Sequence, residues 1–387
     1  MQHVLAVGDR VTSPHPDEPR HPTDFTRAPF LVIWEVTRAC ALACVHCRAD
    51  AIARRDPREL TTAEAYALID QIRGFGEPRP LFVLTGGDPM WRKDLREIVA
   101  YAAGAGLSVA LTPSGTAAAT RTRLEELRDA GLSRVAVSLD GPDPETHDAF
   151  RRVRGSFANT MKIIDAVVDL GLPLQINTTV SRCTLPTLGR MAERVATFPL
   201  TLWAAFFLVQ TGRGASLDQI SAGECESVLR WLSQLAARVP FGIKTTEAPH
   251  YRRVLWETTH AERLAVRPNA PPFERPNVAS PLRATRAVGD GSGFVFVDHV
   301  GNICPSGFLP MVRGNVRDIV LAQTYRDDPV FRRLREPDAL EGKCGRCRFR
   351  AICGGSRSRA FTETGNAFAS DPLCGYEPGP GVEQVVE

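Results

Sequence analysis

Three cysteines crowded into eight residues form the first group of side chains in this chain that could bind a metal. Cys40, Cys44 and Cys47 follow the apolar run LVIWEVT in a CxxxCxxC spacing, within the stretch RACALACVHCRAD. Structural zinc usually takes four ligands in two paired knuckles, and a triad with no second pair nearby fits that arrangement poorly. An iron–sulfur cluster held by cysteine thiolates also normally takes four. Three thiolates therefore suit a cluster that keeps one iron free for a ligand that is not protein.

A second dense cysteine region lies in the C-terminal third of the chain. The stretch CGRCRFRAIC contains Cys344, Cys347 and Cys353, and Cys374 follows about twenty residues later. Four thiols make a complete ligand set, which suits either zinc or an iron–sulfur cluster. Four unrelated buried cysteines are the weaker interpretation, because basic residues make this loop too polar for a core. These basic residues are Lys343, Arg346, Arg348 and Arg350.

Four short motifs combine small residues with hydroxyl, amide or carboxylate groups. They are TGGDP (85–89), TPSGT (112–116), SLDG (138–141) and NTTV (177–180). Gly86 and Gly87 allow the backbone to come close to a ligand, and Asp88 can accept a hydrogen bond from an ammonium group. Each motif alone is most simply a turn. Their occurrence after successive predicted strands favours one shared binding site.

The elements that must position these residues alternate between short β-branched runs and longer helical segments. From residue 31 the pattern predicts six strand–helix units, from LVIWEVT to TLWAAFFLV, and therefore a parallel sheet. Several helices end in glycine, as at Gly106, Gly131 and Gly171, where we expect left-handed caps. An open sheet and a partial barrel both satisfy the pattern. In either, the chemistry lies at the C-terminal ends of the strands, where the first cysteine loop and the four motifs stand.

Composition sets limits on the class of protein. The 387 residues are 43% hydrophobic and 24% charged, which is typical of a soluble globular chain with one large and one smaller domain. No apolar run approaches the roughly 20 residues of a transmembrane helix. The net charge of +3 is small and the arginines are dispersed, so we expect no nucleic-acid partner.

The N-terminal sequence and the ten cysteines point to a reducing compartment. The stretch MQHVLAVGDRVTSPHP lacks the apolar segment of a signal peptide, so we expect a cytoplasmic protein. Ten cysteines in such a compartment favour metal binding or catalysis over disulfides.

These features together resemble the radical S-adenosylmethionine superfamily. The resemblance rests on the CxxxCxxC spacing, on His46 before the last cysteine and on the GGD turn, and it spans roughly residues 30–210. It implies a 4Fe-4S cluster on the three cysteines, whose open iron is chelated by the amino and carboxylate groups of S-adenosylmethionine. Reductive cleavage of that cofactor gives a 5'-deoxyadenosyl radical, which abstracts a hydrogen atom from the substrate. The protein supplies orientation and exclusion of water. The implied fold is a partial (β/α)6 TIM-like barrel of the α/β class.

The resemblance also implies which residues bind S-adenosylmethionine. Gly86, Gly87 and Asp88 match the turn that holds the methionine amino group, although the family more often has Glu at the third position. Ser114 and Arg151 are candidates for contact with the methionine carboxylate.

Other implied cofactor-binding residues lie farther along the chain. Ser138 and Asp140 are placed near the ribose or the sulfonium. For Asn177 and Thr178, lining of the site and ordinary capping of a strand end both remain open.

The C-terminal region resembles the SPASM extension, which in its full form carries seven cysteines and two auxiliary 4Fe-4S clusters. This chain has Arg357 where a further cysteine would stand, and only Cys304 represents the upstream group. The resemblance therefore implies one auxiliary 4Fe-4S cluster on the second cysteine set, and two clusters in all. Cys304 could lie near that cluster, ligate a substrate, or pack behind the predicted hairpin FVFVDHVGNIC. The expected division is a flexible arm over 1–28, the barrel over 29–240, a connecting segment over 241–290 and a SPASM/twitch-like domain over 291–387.

Several short sequence stretches narrow the resemblance to SPASM enzymes of tetrapyrrole metabolism. It rests on WEVTRAC, HCRA, TTEAPHYRR, CPSGFLP, RGNVRD and CGGSRSRA. It implies a radical oxidoreductase or lyase that decarboxylates or otherwise modifies side chains of a haem-type tetrapyrrole, with flavodoxin or ferredoxin as electron donor. The alternative is a maturase that forms carbon–carbon or carbon–sulfur bonds in a ribosomally made peptide, or epimerises a residue. Such maturases usually carry an N-terminal leader-binding domain, for which the 28-residue arm is too short.

Candidate substrate residues follow from the chemistry of a carboxylated macrocycle. His250 offers an iron ligand, while Arg252 and Arg357 offer bidentate partners for propionates. Cys304 joins this set if it faces the substrate. A capped turn at His250 and charge balance of a cluster by Arg357 remain the alternatives. In related haem enzymes a cysteine often occurs where this chain has Glu247.

Overall fold

The computed structural model of the chain describes residues 24–265, 288–379 and Val385. Most of the predicted arm over 1–28 and residues 266–287 of the predicted connecting segment lie outside the described residues. Within the described ranges, no helix is both long enough and apolar enough to span a membrane.

A sheet of nine strands forms the centre of the described chain. The strands are β1 (Leu31–Glu35), β2 (Leu81–Thr85), β3 (Val109–Leu111), β4 (Leu132–Ser138), β5 (Leu174–Val180), β6 (Leu202–Phe207), β7 (Gly242–Thr246), β8 (Phe294–Val297) and β9 (Ile303–Cys304). Their order in the sheet is β7-β6-β5-β4-β3-β2-β1-β8-β9. All pairs from β7 to β8 are parallel, and β9 runs antiparallel to β8. The sheet is not closed, so the predicted partial barrel is confirmed.

Two parallel strands extend the six that the sequence predicts. β7 has the sequence GIKTT, which is too short and polar to stand out as a strand, and it lies in the predicted connecting segment. β8 pairs in parallel with β1, and its antiparallel partner β9 confirms the predicted hairpin. The proposed domain boundaries remain predictions.

Helices connect most of the parallel strands. They are α1 (Thr62–Arg73), α2 (Leu95–Gly104), α3 (Arg121–Asp129), α4 (Pro144–Arg151), α5 (Ser156–Asp169), α6 (Leu188–Val195), α7 (Ala222–Ala236), α8 (His250–Ala265), α9 (Leu321–Asp327), α10 (Pro329–Leu334), α11 (Gly342–Gly345) and α12 (Arg357–Thr364). Thr61 and Ser221 begin α1 and α7 with capping boxes. Gly106, Gly131 and Gly171 have φ values of +82°, +106° and +68°, as predicted for left-handed helix ends.

The two faces of the sheet are buried to different degrees. On β1, Val32 and Trp34 are fully buried in the main apolar core beneath the helices. The alternating residues Leu31 and Ile33 are half-buried and point to the opposite, inner face. Because the same alternation recurs on β2 and β5, the inner face lines a lumen that the described side chains only partly cover.

Candidate active site

The first cysteine loop lies at the C-terminal end of β1 and is arranged to present three sulfurs. Cys40 and Cys44 are buried, and Cys47 packs against them. The Leu42 amide donates to the Cys40 Sγ at 3.3 Å, and the Ala51 amide donates to the Cys47 Sγ at 3.4 Å. Burial raises the pKa of the Cys40 thiol to about 11. Amide donors of this kind stabilise sulfurs that become thiolates on binding metal.

The GGD turn after β2 packs directly on the cysteine loop. The Gly87 amide donates to the Thr37 carbonyl at 2.8 Å, and the Asp88 amide donates to the Ala39 carbonyl at 2.7 Å. A Cβ atom on Gly87 would stand 2.5 Å from the Ala39 carbonyl oxygen, and one on Gly86 would stand 2.4 Å from that of Thr37. The glycines are therefore required for two backbone segments to meet. The predicted contact of this turn with S-adenosylmethionine stays a prediction.

Asp88 ties the end of β2 to the end of β3. Its buried carboxylate accepts hydrogen bonds from the Thr116 hydroxyl at 2.6 Å and from the Met90 and Ser114 amides. Burial raises its pKa. The Ser114 hydroxyl donates to the Gly87 carbonyl at 2.6 Å, and its oxygen lies 3.6 Å from the Cys40 Sγ. Ser114 and Asp88 thus lie together beside the cysteine loop, and their binding of S-adenosylmethionine stays a prediction.

Asp140 and Arg151 form a buried ion pair on the other side of the loop. A guanidinium nitrogen of Arg151 also lies 3.6 Å from the Cys44 Sγ. The Thr179 amide donates to Asp140 at 2.6 Å, which joins this pair to the end of β5. Although burial opposes ionisation, the Arg151 charge lowers the pKa of Asp140 to about 2. The pair therefore keeps a positive charge beside a cysteine sulfur.

Ser138, the last residue of β4, pairs in register with Asn177 in the middle of β5. Both side chains are half-buried on the inner face of the sheet. Thr178 faces the other way, because its hydroxyl donates to the Leu139 carbonyl and accepts from the Trp203 indole within the core. For Thr178 the structure thus supports the capping alternative, while Asn177 lines the lumen.

His46, within the cysteine loop, packs against an aromatic side chain of α4. Its ring stacks on Phe150 at a centroid distance of 4.3 Å. Burial lowers its pKa to about 3, so the imidazole is neutral.

Arg213 is a contact of the cysteine loop that the sequence analysis missed. It follows β6, and its side chain donates to the Cys44 and Ala51 carbonyls at 3.0 Å each. Its amide donates to the Cys47 carbonyl at 3.0 Å. The preceding Gly212 has φ of +54°, and a Cβ there would stand 2.5 Å from that same carbonyl oxygen. The sequence TGRG after a predicted strand indicates a turn, but it does not reveal these distant backbone partners.

Arg48 connects the cysteine loop to the β8–β9 hairpin, and it too was missed. It pairs with Glu35 at 2.6 Å and donates to the Gly307 carbonyl at 3.2 Å. Its guanidinium carbon lies 4.8 Å from the Phe296 ring centroid. Cys304 is buried directly opposite Phe296 in this hairpin. Of the three alternatives for Cys304, the structure supports packing within the hairpin.

The second cysteine set surrounds a single cavity. Cys344, Cys347, Cys353 and Cys374 all line it, together with His250 and other residues. The Asp371 amide donates to the Cys344 Sγ and the Phe349 amide to the Cys347 Sγ, both at 3.4 Å. Burial raises the pKa of Cys353, and the charges of the other three sulfurs raise it further. Four cysteines thus line one cavity, and their binding of a cluster stays a prediction.

Comparison with known proteins decides the family of this chain. A family model of the radical SAM superfamily matches residues 34–187. The AdoMet-dependent heme synthase of Oleidesulfovibrio alaskensis is 40% identical, and the match covers 93% of this chain and 90% of that protein. The AdoMet-dependent heme synthase of Methanosarcina barkeri is 37% identical over 92% of this chain and 98% of its own length.

The chain belongs to the radical SAM superfamily. It is therefore an enzyme whose family implies a 4Fe-4S cluster and S-adenosylmethionine. A solved structure, Streptococcus suis SuiB bound to S-adenosylmethionine, superposes with a TM-score of 0.68 and covers 90% of this chain and 78% of that one. At 14% sequence identity this likeness shows the fold alone.

A single metal ion and an iron–sulfur cluster need different arrangements of their cysteine ligands. Within the described ranges, no three His, Cys, Asp or Glu side chains stand close enough to share one ion. Zinc would need such convergence, since four ligands bind one atom. In a 4Fe-4S cluster each thiolate binds a different iron, so the sulfurs stand farther apart. Zinc and a 4Fe-4S cluster both remain alternatives for the second cysteine set.

Two of the predicted substrate residues, His250 and Arg357, lie beside the second cysteine set. His250 is buried, and its Nε2 lies 3.1 Å from the Asp371 carboxylate. Burial opposes its charge, but Asp371 raises its pKa to about 9. Arg357 donates to the Ala367 and Ala369 carbonyls at 2.8 and 2.7 Å, and it stands 3.7 Å from the Cys344 Sγ. Arg252 lies on α8. His250 and Arg357 therefore stabilise the cysteine loop, and their contact with substrate stays a prediction.

Glu247 joins the barrel of the enzyme to the second cysteine region. It follows β7 with φ of +58°, a backbone conformation that residues other than glycine rarely adopt. Its carboxylate accepts a hydrogen bond from the hydroxyl of Ser356, the residue that caps α12. Burial, with help from the nearby Asp290 charge, raises its pKa to about 8.

Proposed function

We propose that this radical SAM enzyme removes carboxyl groups from propionate side chains of a haem-type tetrapyrrole by oxidative decarboxylation. The observation that carries the proposal is the near-complete alignment with two proteins named AdoMet-dependent heme synthase, at 40% and 37% identity. A relative named for a peptide substrate, the PqqA peptide cyclase of Bradyrhizobium diazoefficiens, is more distant at 26% identity. Nearly uniform coverage means that both the barrel and the second cysteine region resemble the heme synthases.

We assign the first 4Fe-4S cluster to Cys40, Cys44 and Cys47. When bound, this cluster and S-adenosylmethionine supply the radical that takes a hydrogen atom from the substrate. The chain's own part is to fix the three sulfurs, which the GGD turn and Arg213 do by backbone contacts. The proposed S-adenosylmethionine-binding residues are Gly86, Gly87, Asp88, Ser114, Ser138, Asp140, Arg151 and Asn177. Most of them lie on or just after the strands β2 to β5, Arg151 at the end of α4 reaches Cys44, and this placement supports the assignment.

We assign an auxiliary 4Fe-4S cluster to Cys344, Cys347, Cys353 and Cys374. The proposed reaction needs an electron acceptor, because a propionate that loses a hydrogen atom and carbon dioxide also releases one electron as the vinyl group forms. An auxiliary cluster provides an acceptor for one electron. The positive charges of Arg357 and His250 beside these sulfurs favour a negatively charged cluster. An external donor such as flavodoxin or ferredoxin would reduce the first cluster.

The direct test is turnover of coproheme, the iron porphyrin with four propionates. Reconstituted enzyme, S-adenosylmethionine, a one-electron reductant and coproheme are incubated without oxygen, and products are analysed by mass spectrometry. The proposal expects products lighter by carbon dioxide plus two hydrogens for each converted propionate, with 5'-deoxyadenosine formed in proportion. Cofactor cleavage that never yields a decarboxylated porphyrin would contradict the proposal. Modification of a short peptide instead would establish the maturase alternative.

A further inference from the structure

The inner face of the barrel sheet has an apolar wall formed by β8, β1 and β2. Its half-buried side chains include Phe294, Leu31, Ile33, Leu81 and Val83. Strand pairing places Leu31 beside both Phe294 and Leu81 in one row, with Ile33 beside Val83 in the next. Because these side chains are only partly covered by described residues, the wall can accept a flat apolar surface.

The wall formed by β4, β5 and β7 is polar. Asn177 and Lys244 both pair with Ala204 of the intervening β6, so they lie in one row on the inner face. The Gln175 amide donates to the Asn177 side chain at 2.6 Å. Arg134 follows the same inner alternation on β4, because Val135 and Val137 point into the core. One wall of the lumen is therefore apolar, and the other carries two cations.

These two cations have no partner in the part of the chain that the structure describes. No hydrogen bond or ion pair of residues 24–265 and 288–379 reaches the Lys244 ammonium or the Arg134 guanidinium. Burial, together with the nearby Arg134 charge, lowers the pKa of Lys244 to about 8. A half-buried ammonium without a counter-charge is unfavourable for the folded protein, and an anionic ligand would offset that cost.

Three cations beside the two cysteine sets are already engaged. Arg151 is paired with Asp140, and Arg48 is paired with Glu35. Arg357 is held by two backbone carbonyls. Lys244 and Arg134 are therefore the better candidates for an anionic substrate group.

We propose that Lys244 and Arg134 form a carboxylate-binding subsite in the barrel lumen, which anchors a propionate of the substrate while its macrocycle lies on the apolar wall. This inference rests on the proposed function and goes beyond it, since it names the residues that recognise the substrate. An anchored propionate fixes the rotation of the macrocycle, and thus decides which other side chain faces the reacting centre. Lys244 and Arg134 are specificity-determining residues in this account.

The test is a titration of reconstituted holoenzyme with coproheme in the absence of reductant. Binding is measured by the shift of the Soret band. Lys244→Met is expected to weaken coproheme binding roughly 10-fold, the usual effect of losing one charge-assisted hydrogen bond. Arg134→Met, at a more exposed position, is expected to weaken it less. Lys162→Met removes an exposed lysine from the outer helix α5 and serves as the charge-matched control, with affinity like that of the wild type.

A second probe separates charge recognition from packing. Coproheme tetramethyl ester has the same macrocycle without carboxylates, so the wild type and Lys244→Met should bind it equally. The melting temperature of Lys244→Met should equal or exceed that of the wild type, because the unpaired ammonium opposes folding. Equal coproheme affinity of the wild type and Lys244→Met would overturn the subsite while leaving the proposed function standing. Absence of any Soret shift in the wild type would instead overturn the proposed function, and the subsite with it.

Discussion

The two cysteine sets of this enzyme are held in different ways. The loop of Cys40, Cys44 and Cys47 is fixed by residues from distant strand ends, among them Gly87 after β2 and Arg213 after β6. The set of Cys344, Cys347, Cys353 and Cys374 lies within about thirty residues and is held chiefly by near neighbours such as Asp371 and Arg357. The first site therefore depends on the whole barrel. The second depends mainly on its own region.

This difference agrees with the two roles that we propose for the cysteine sets. A site that binds a cofactor and a substrate must present one face to the lumen, and the surrounding strand ends provide both rigidity and access. A site that only passes an electron is better enclosed by its own loop. Variants that break long-range contacts should thus harm the first site and spare the second.

Gly87→Ala should produce the largest difference between its effects on the two sites. Its Cβ would stand 2.5 Å from the Ala39 and Arg38 carbonyl oxygens, and both contacts are with backbone that cannot move aside. We expect S-adenosylmethionine cleavage to fall roughly 100-fold, as for a displacement of about 1 Å in a catalytic site. The second cluster should remain in the iron analysis.

Gly104→Ala is the matched control, because a Cβ there meets no atom within 4 Å. It ends α2 and should leave cleavage and iron content unchanged. Full activity of Gly87→Ala would show that the turn does not position the cysteine loop.

Cys374→Ala tests the second site from the other direction. Removing one of four thiolates should lower the iron content from about eight to about four per chain. Cleavage of S-adenosylmethionine without substrate should persist, while the decarboxylated product is lost. A variant that retains product formation at the wild-type rate would remove the auxiliary cluster from the account.

Arg213→Met should have a moderate effect confined to the first site. The substitution removes the guanidinium bonds to the Cys44 and Ala51 carbonyls, with an expected loss of about 2 kcal/mol of holoenzyme stability. The measurement is anaerobic thermal unfolding combined with iron release under chelation. Arg190→Met, at an exposed surface ion pair, is the control and should change stability little. Equal iron release from both variants would mean that Arg213 does not hold the loop.

Glu247→Gln should give the smallest effect, visible as a dependence on pH. The folded protein raises the pKa of Glu247 from 4.5 to about 8, so it binds that proton more tightly than the unfolded chain does. Stability from this group is complete below about pH 4.5 and is lost as the pH rises through about 8. The melting temperature of Glu247→Gln relative to the wild type should therefore increase from pH 5 to pH 8. A difference that stays constant across this range would contradict a carboxyl that is protonated in the folded protein.

The sequence could predict the parts of this enzyme that repeat or that carry a strict spacing. Six strands, their glycine-ended helices and both cysteine sets follow from hydrophobic period and thiol spacing, and the structure bears out the partial barrel. β7 escaped prediction because GIKTT is short and polar, and its strand character comes from pairing with β6. Arg213 and Arg48 escaped because their partners are backbone carbonyls or a carboxylate on other elements, which no local pattern reveals.

The predicted substrate residues illustrate a different limit. His250 and Arg357 were chosen for charge and metal affinity near a cysteine motif, yet their buried partners are Asp371 and backbone carbonyls. The sequence shows that a cationic side chain is present, but it does not show whether that side chain is already paired with another group of the protein. Lys244 is not part of any sequence motif, and only its position in the strand register shows that it faces the lumen.

We propose that Cys40, Cys44 and Cys47 hold the cluster that cleaves S-adenosylmethionine, and that a second cluster with four cysteine ligands is separate from it. The most direct measurement is iron content and reductive S-adenosylmethionine cleavage after anaerobic reconstitution of the wild type, Cys40→Ala and Cys183→Ala, the last being an exposed cysteine outside both sets. The account predicts about eight irons and full cleavage for the wild type and Cys183→Ala, and about four irons with no cleavage for Cys40→Ala. Cleavage that survives in Cys40→Ala would contradict it.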